Sequence, residues 1–205
     1  MLLDYIKARD MLGRYGISSV KSGYVDSPEQ AVKFSEGKPL ALKVLSEKAL
    51  HKSKSGVVKL GLLDPDDIRE AFSELSSKAS RLRPYKILAQ RMAPPGVEAI
   101  IGGRKDPQFG QTILLGMGGI YVEAFRDFSL RICPITRYDS VEMIHQLRSA
   151  QVITHNGKSE KMLSGLLLGV SRLLGEHPEI TELDLNPVIV REDGYEAVDL
   201  RIIEE

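Results

Sequence analysis

The side chains best suited to chemistry gather in three places. The first is the stretch "ALHKSKSGVVKLGL", which sets His51 among Lys52, Ser53, Lys54, Ser55 and Gly56 between two apolar runs. Its ammonium groups, hydroxyls and the backbone at Gly56 can all face phosphate oxygens. A neutral imidazole is a competent nucleophile near pH 7, and the two lysines beside it lower its pKa and would stabilise a phosphoryl group once transferred. The same composition also suits an ordinary solvated hairpin. The second place is Lys43, inside the apolar run "PLALKVL". A buried ammonium has to be paired or aimed at an anion, whereas an edge-facing one is simply solvated. The third is the C-terminal "ELDLNPVIV", followed by "YEAVDLRI". Strand alternation puts Glu182, Asp184 and Asn186 on one face with Leu183 and Leu185 on the other. An Asn amide oxygen and the Asp199 carboxylate, brought together across that hairpin, make an oxygen site suited to Mg²⁺ bridging phosphates. An ordinary acidic surface is the competing explanation. Glu98 in "GVEAII" and Glu123 in "YVEAF" are further carboxylates inside apolar runs, and "GMGGIY" has the freedom for close backbone approach to a ligand.

The elements that position these groups are legible from periodicity and punctuation. Residues 2–15 read as a helical stripe closed by Gly16. "SPEQAVKFSEG" has Ser27 as cap, Pro28 in the first turn, Gln30 completing a capping box and Gly37 as stop. "PLALKVL" and "GVVKLGL" read as paired strands. "DPDDIREAFSELSSKAS" is a helix capped by Asp64 with Ile68, Phe72 and Leu75 on one face. "YKILAQRM" and "GVEAIIGG" follow as strands around Ala93-Pro94-Pro95-Gly96, then "QTILLGM", "IYVEAF" and "FSLRICPI". Residues 138–150 and 158–174 read as helices, and the last two strands turn at Asp193-Gly194. Adjacent strands at hairpin spacing, mixed with helices, predict an α+β fold with mainly antiparallel sheets and flanking helices. The Pro-Pro-Gly stretch divides it into lobes 1–92 and 93–205. Neither the dinucleotide-binding nor the P-loop glycine spacing is present.

Composition narrows the function classes. The 205 residues contain 28 basic and 28 acidic side chains, so net charge gives no support to a nucleic-acid or anionic-membrane surface. A single cysteine, Cys133, excludes a disulfide framework and a cysteine metal set. No apolar run approaches the roughly 20 residues that span a bilayer, and "MLLDYIKARD" lacks the apolar core of a signal peptide. A cytoplasmic protein is the expectation.

The order of these blocks resembles the ATP-grasp (β) subunit of ADP-forming acetyl-CoA synthetases, the NDP-forming acyl-CoA synthetase family. The resemblance runs from about residue 2 to 202 and rests on "ALKVLSEKALHKSKSGVVKLGL", on "ILAQRMAPPGVEAIIGGRKDPQFGQTILLGMGGIYVEAFRDFSLRICPIT" and on "ELDLNPVIV…AVDLRI". It implies a two-lobed ATP-grasp fold, ATP/ADP and Mg²⁺ as ligands, and phosphoryl transfer between a phosphohistidine and the nucleotide. It implies, too, a CoA-binding α subunit as partner in a hetero-oligomer. By the same resemblance His51 is the phosphoryl-accepting histidine and Lys43, Lys52, Ser53 and Gly56 contact nucleotide phosphates. Gln90, Arg91 and Met92 border the adenine, whose edge their backbone would read. Glu98 lies near ribose and phosphates, and Asn186 and Asp199 bind the metal. The sequence departs from the family pattern at Lys54, where an acid is usual, at Val57 in place of a glycine, at Arg91 in place of an acid, and at "LRSAQVITHNGK". A non-catalytic or regulatory ATP-grasp module and a succinyl-CoA-synthetase-like β subunit are the alternative readings.

Overall fold

The computed structural model describes residues 1–46, 58–119 and 127–205. They form two compact units, Val20–Met92 on its own and Met1–Ser19 together with Ala93–Glu205.

Unit Val20–Met92 is a four-stranded antiparallel sheet in the order β1 (Ser22–Tyr24), β4 (Lys86–Arg91), β2 (Leu40–Leu45), β3 (Val58–Leu62). Leu40, Leu42 and Val44 alternate along β2, so their side chains share one face. That face packs on α2 (Pro28–Ser35) and α3 (Pro65–Ala79), whose Ile68, Phe72, Leu75 and Ala79 complete the core. Both helices start on the expected caps. Ser27 Oγ accepts from Gln30 N, and Asp64 Oδ1 accepts from Asp66 N. The return bond of the capping box lands one residue early, because Gln30 Oε1 accepts from Asp26 N. At the far end of α2, Glu36 takes a left-handed conformation (φ 47°) and its carboxylate joins Lys21 to Arg91.

Glu74 of α3 accepts from both Lys59 of β3 and Lys78, and those two bonds hold its pKa down to about 2. A carboxyl whose pKa is lowered on folding contributes stability that is fully present above its unfolded value, and that stability drains away as pH falls through the folded value. The melting temperatures of wild type and Glu74→Gln should therefore differ at pH 6 and converge between pH 4.5 and 2. Parallel curves would show that the two lysine bonds contribute nothing.

The second unit is a six-stranded antiparallel sheet. Its path runs β10 (Leu200–Glu204), β8 (Ile180–Val190), β5 (Val97–Asp106), β6 (Gly110–Met117), β7 (Phe128–Ile132), and β9 (Tyr195–Ala197) also pairs with β8. The helices are α1 (Tyr5–Arg14), α4 (Arg137–His145), α5 (Ala150–Ile153) and α6 (Glu160–Glu176). The buried stripe of α6 includes Leu163, Leu166, Leu167, Val170 and Leu174. Leu174 comes so close to β5 that a Cβ on Gly103 would sit 2.7 Å from its Cδ1, so only glycine leaves the helix this near the sheet.

Four sequence expectations change here. Residues 1–19 do not join the first lobe. Leu3 N donates to Ile202 O, Leu2 bridges to Ile203, and Ala197 N donates to Ser18 O, so this segment lies along the C-terminal strands. The helix also begins later than expected, at Tyr5, because Asp4 Oδ1 accepts from Ile6 N and caps it there. The helix expected over 138–150 divides into α4 and α5. The Asp127 carboxylate takes the N–H groups of Arg148 (2.8 Å) and Ser149 (2.9 Å), which a continuous helix would have used itself. Finally, "YEAVDLRI" is not one strand: β9 and β10 part at Val198-Asp199.

Candidate functional site

Within unit Val20–Met92 the strand register sorts the candidate residues. Since Leu40, Leu42 and Val44 face the helices, Ala41 and Lys43 face the other side of the sheet. Lys43 lies opposite Leu88 and Val58, and Gln90 opposite Ala41 and Ser22. Lys43 and Gln90 thus share the helix-free face, and both are buried, at 9% and 1% exposure. Arg91 N donates to Lys21 O and Met92 N to Pro39 O, so both N–H groups are taken inside the unit. The Arg91 guanidinium is also engaged, bonding the Glu36 carboxylate. Lys21 first and Arg91 second lower the Glu36 pKa. Met92 is exposed. His51, Lys52, Ser53 and Gly56, with Lys54 and Val57, lie outside the described residues, as does Glu123.

In the other unit Glu98 is an exposed residue of β5. Gly118 N donates to Glu98 O at 2.7 Å, and a Cβ on Gly118 would lie 2.9 Å from both Cβ and the carbonyl carbon of Glu98. The close approach that glycine permits in "GMGG" is therefore to Glu98 itself, a contact that composition could not reveal.

Asn186 and Asp199 occupy an irregularity in the sheet. Opposite β8, the register with β5 shifts between Ala99 and Ile101, so that Ile100 faces both Asn186 and Pro187. Such a two-against-one bulge bends the strand and re-aims a side chain. On the other edge of β8, the pairing passes from β9 to β10 at this same level, and Asn186 N donates to Asp199 O at 3.1 Å. Asn186 and Asp199 are both exposed. Glu182 and Asp184 share the Asn186 side of the strand, while Leu183 and Leu185 are fully buried. Burial raises the Asp184 pKa. Arg201 pulls it down, and Glu182 and Asp199 push it up again. Arg201 is itself paired with Glu182 at 2.9 Å.

The donor set at this bulge fits a hard divalent cation. Asn186 and Asp199 would supply two oxygen donors from a partly acidic surface, leaving water and phosphate oxygens to complete the shell of a Mg²⁺. Among the described residues no group of three or more His, Cys, Asp or Glu side chains could hold a metal ion, so a cation here would depend on the Asn186 amide, on water and on phosphate oxygens for the rest of its shell. Three histidines are engaged elsewhere: His145 with Glu160, His177 with Glu179, and His155 Nε2 with Val190 O. No described helix is long and apolar enough to cross a membrane. The Arg201–Glu182 pair and the Gly118–Glu98 contact escaped sequence reasoning. The cross-strand register of Asp184 with Arg201 was the signal for the charge cluster, available only once the hairpin is aligned.

Comparison with known proteins places this geometry. A model of the ATP-grasp domain matches residues 1–203. The β subunit of acetate–CoA ligase [ADP-forming] I of Pyrococcus furiosus is 36% identical over 208 residues, covering 96% of this chain and 89% of the relative. Acetate–CoA ligase [ADP-forming] I of Archaeoglobus fulgidus is 39% identical over 94% of this chain, which spans only 30% of that longer protein. Among solved structures, the dinucleotide-forming acetyl-coenzyme A synthetase 1 of Ca. Korarchaeum cryptofilum, in complex with coenzyme A and Ca-AMPCP, superposes with a TM-score of 0.89 at 37% identity. The match covers 100% of this chain and 93% of that one. The chain belongs to the ATP-grasp family, in the branch formed by the β subunits of ADP-forming acetate–CoA ligases.

Proposed function

We propose that this chain is the nucleotide-binding subunit of an ADP-forming acid–CoA ligase. In that role it moves a phosphoryl group between a phosphohistidine and ADP or ATP, and it works with a CoA-binding partner. The observation that supports this most directly is the near end-to-end similarity to the Pyrococcus furiosus β subunit. The longer Archaeoglobus fulgidus relative supports a partner, since this chain accounts for under a third of it.

The residues take the following parts. Lys43 neutralises phosphate charge from the helix-free face of its sheet, and Lys52, Ser53 and Gly56 contact the phosphates as well. Gln90 and the carbonyls near Arg91 and Met92 border the base, because the two N–H groups there are already taken. Glu98, held by Gly118, contacts ribose or phosphate. Asn186 and Asp199 hold Mg²⁺, which supplies charge neutralisation to the phosphates when bound. His51 receives the phosphoryl group as its imidazole nitrogen bonds phosphorus and the bond to the ADP oxygen breaks; in reverse the histidine is restored and ATP forms. Phosphoryl transfer is mostly positioning and charge neutralisation, so lysines and carboxylates suffice around the one nucleophile.

Lys43→Met keeps the buried stem and removes the charge. A charge-assisted hydrogen bond contributes about 1.5–3 kcal/mol, so Mg-ADP should bind about tenfold to a hundredfold more weakly to a chain with an unchanged circular dichroism spectrum. Equal affinity would remove Lys43 from the site.

The regulatory-module reading is favoured by the loop substitutions Lys54 and Val57, and His51→Ala separates the two. With the CoA-binding partner present, the variant should lose ADP-dependent turnover while still binding Mg-ADP. Turnover at the wild-type rate would end the relay role of His51.

A further inference from the structure

We propose that Glu36 is a positioning residue for nucleotide binding: its carboxylate clasps the two ends of unit Val20–Met92 together and so fixes the strand end, Gln90 to Met92, that borders the base. This rests on the functional reading above and adds a residue outside the site that governs its geometry.

Lys21 is the second residue of the unit and Arg91 the second from its end. Arg91 N donates to Lys21 O at 2.9 Å and Met92 N to Pro39 O at 3.0 Å, so the end of β4 is held by main-chain bonds from both sides. Bonds at the end of a ladder are the first to open. Ile87 and Ala89 face the helices, so strand alternation puts Arg91 with them and Gln90 on the helix-free face. Ser22 lies opposite Gln90, and Lys21 therefore shares the Arg91 side. There Glu36 bonds Lys21 Nζ through one carboxylate oxygen and Arg91 Nη2 through the other. A clasp on the helix side thus holds the stretch of backbone whose other side carries Gln90.

Glu36 breaks two local rules to stand there. It is the C-cap of α2 and takes a left-handed conformation (φ 47°) that glycine or asparagine normally supplies, with Gly37 following at φ 70°. Its carboxylate also lies at the negative end of the helix dipole, where a cation is favoured. Neither choice helps α2, so the offset comes from the side chains it joins. The Arg91 side chain is only 12% exposed, and Glu36 is its ion-pair partner among the described residues. A guanidinium with so little access to water needs an anion beside it. The residues around Glu36 serve the same joint. Lys21 Nζ lies 5.6 Å from the centre of the Phe34 ring, and a Cβ on Gly23 would sit 3.2 Å from Phe34 Cε2. With Pro39 O holding Met92 N, the stretch from Phe34 to Pro39 touches both ends of the unit.

Glu36→Gln removes the charge from an exposed side chain and tests the clasp. By calorimetry it should weaken Mg-ADP binding about threefold to tenfold. With the CoA-binding component present, KM for ADP should rise by a similar factor while kcat stays within about twofold. Amide exchange at Arg91 and Met92 should quicken several-fold, and exchange at Leu88, in the middle of β4, should not change. Glu36→Lys should weaken Mg-ADP binding further. Adding Arg91→Glu to it should recover most of the loss, because an acid then stands between two lysines again. A simple loss of helix stability at residue 36 would not be repaired by that second change. Unchanged Mg-ADP affinity in Glu36→Gln overturns the proposal, as does a double variant that binds no better than Glu36→Lys. If the wild-type chain binds no Mg-ADP, the functional reading fails, and the clasp is then judged by amide exchange, where equal rates at Arg91 and Met92 in wild type and Glu36→Gln overturn it.

Discussion

Replacing Asn186 and Asp199 together by alanine should remove the magnesium-dependent part of nucleotide binding and leave the fold intact. Both side chains are exposed at the β8 bulge, so truncating them opens no cavity. What they contribute, on the proposed function, is two oxygen donors to a cation that also binds the nucleotide phosphates. Each charge-assisted contact is worth about 1.5–3 kcal/mol, so losing both should raise the Mg-ADP dissociation constant on the order of a hundredfold or more. Calorimetric titration of ADP with magnesium, and again in chelator, checks this. Wild type should bind far more tightly with the metal, and the double variant should bind equally in both conditions. Metal-dependent binding that survives the double change would dismiss the pair as ligands.

The second large effect is on stability. Leu185 is fully buried and lies opposite Ile101 on one neighbouring strand and Leu200 on the other. Leu185→Ala removes packing at the middle of three strands and should cost roughly 2–5 kcal/mol. Urea unfolding should show a lower midpoint with a similar slope, because the unfolded surface is little altered. A shift under about 0.5 kcal/mol would mean that the strand repacks around the loss. The position matters beyond stability: Leu183 and Leu185 are the inward teeth that force Glu182, Asp184 and Asn186 outward.

Much of this was legible in the sequence because periodicity is local. The Ile68–Phe72–Leu75 stripe, the Ser27 and Asp64 caps and the Leu183–Leu185 alternation each follow from spacing within a few residues. The expectations that changed depended on distant partners. Nothing near Arg148 announces that Asp127 takes its N–H, and nothing in "MLLDYIKARD" announces that Leu3 pairs with Ile202. The site divides in the same way. Asn186 and Asp199 could be matched across one hairpin, since Asp193-Gly194 fixes the turn. That Lys43 and Gln90 share a face needed the register of β4 against β2. The engagement of the Arg91 and Met92 N–H groups needed the positions of Lys21 and Pro39. Individual residue types left phosphate binding and plain solvation open, and it was the sequence of blocks along the chain that separated them.

The pairing of residues 1–19 with the last strands has a consequence for dissecting the protein. Val20–Met92 is one uninterrupted stretch, so it can be expressed by itself as a single fragment. The larger unit cannot be obtained by starting a gene at Ala93. That fragment would lack the acceptor at Ser18 for Ala197 and the donor at Leu3 for Ile202, and it would lay bare the outer edge of β10. A faithful fragment has to splice residue 19 to residue 93 with a short linker, treating the smaller unit as a cassette inserted into the larger one. Conversely, a protease cut confined to the Ala93–Gly96 stretch would leave the two halves of the larger unit joined only by non-covalent contacts, the strand pairing, the buried side of α1 and the Tyr15–Glu176 bond among them, and denaturant would then release a fragment that the intact chain retains.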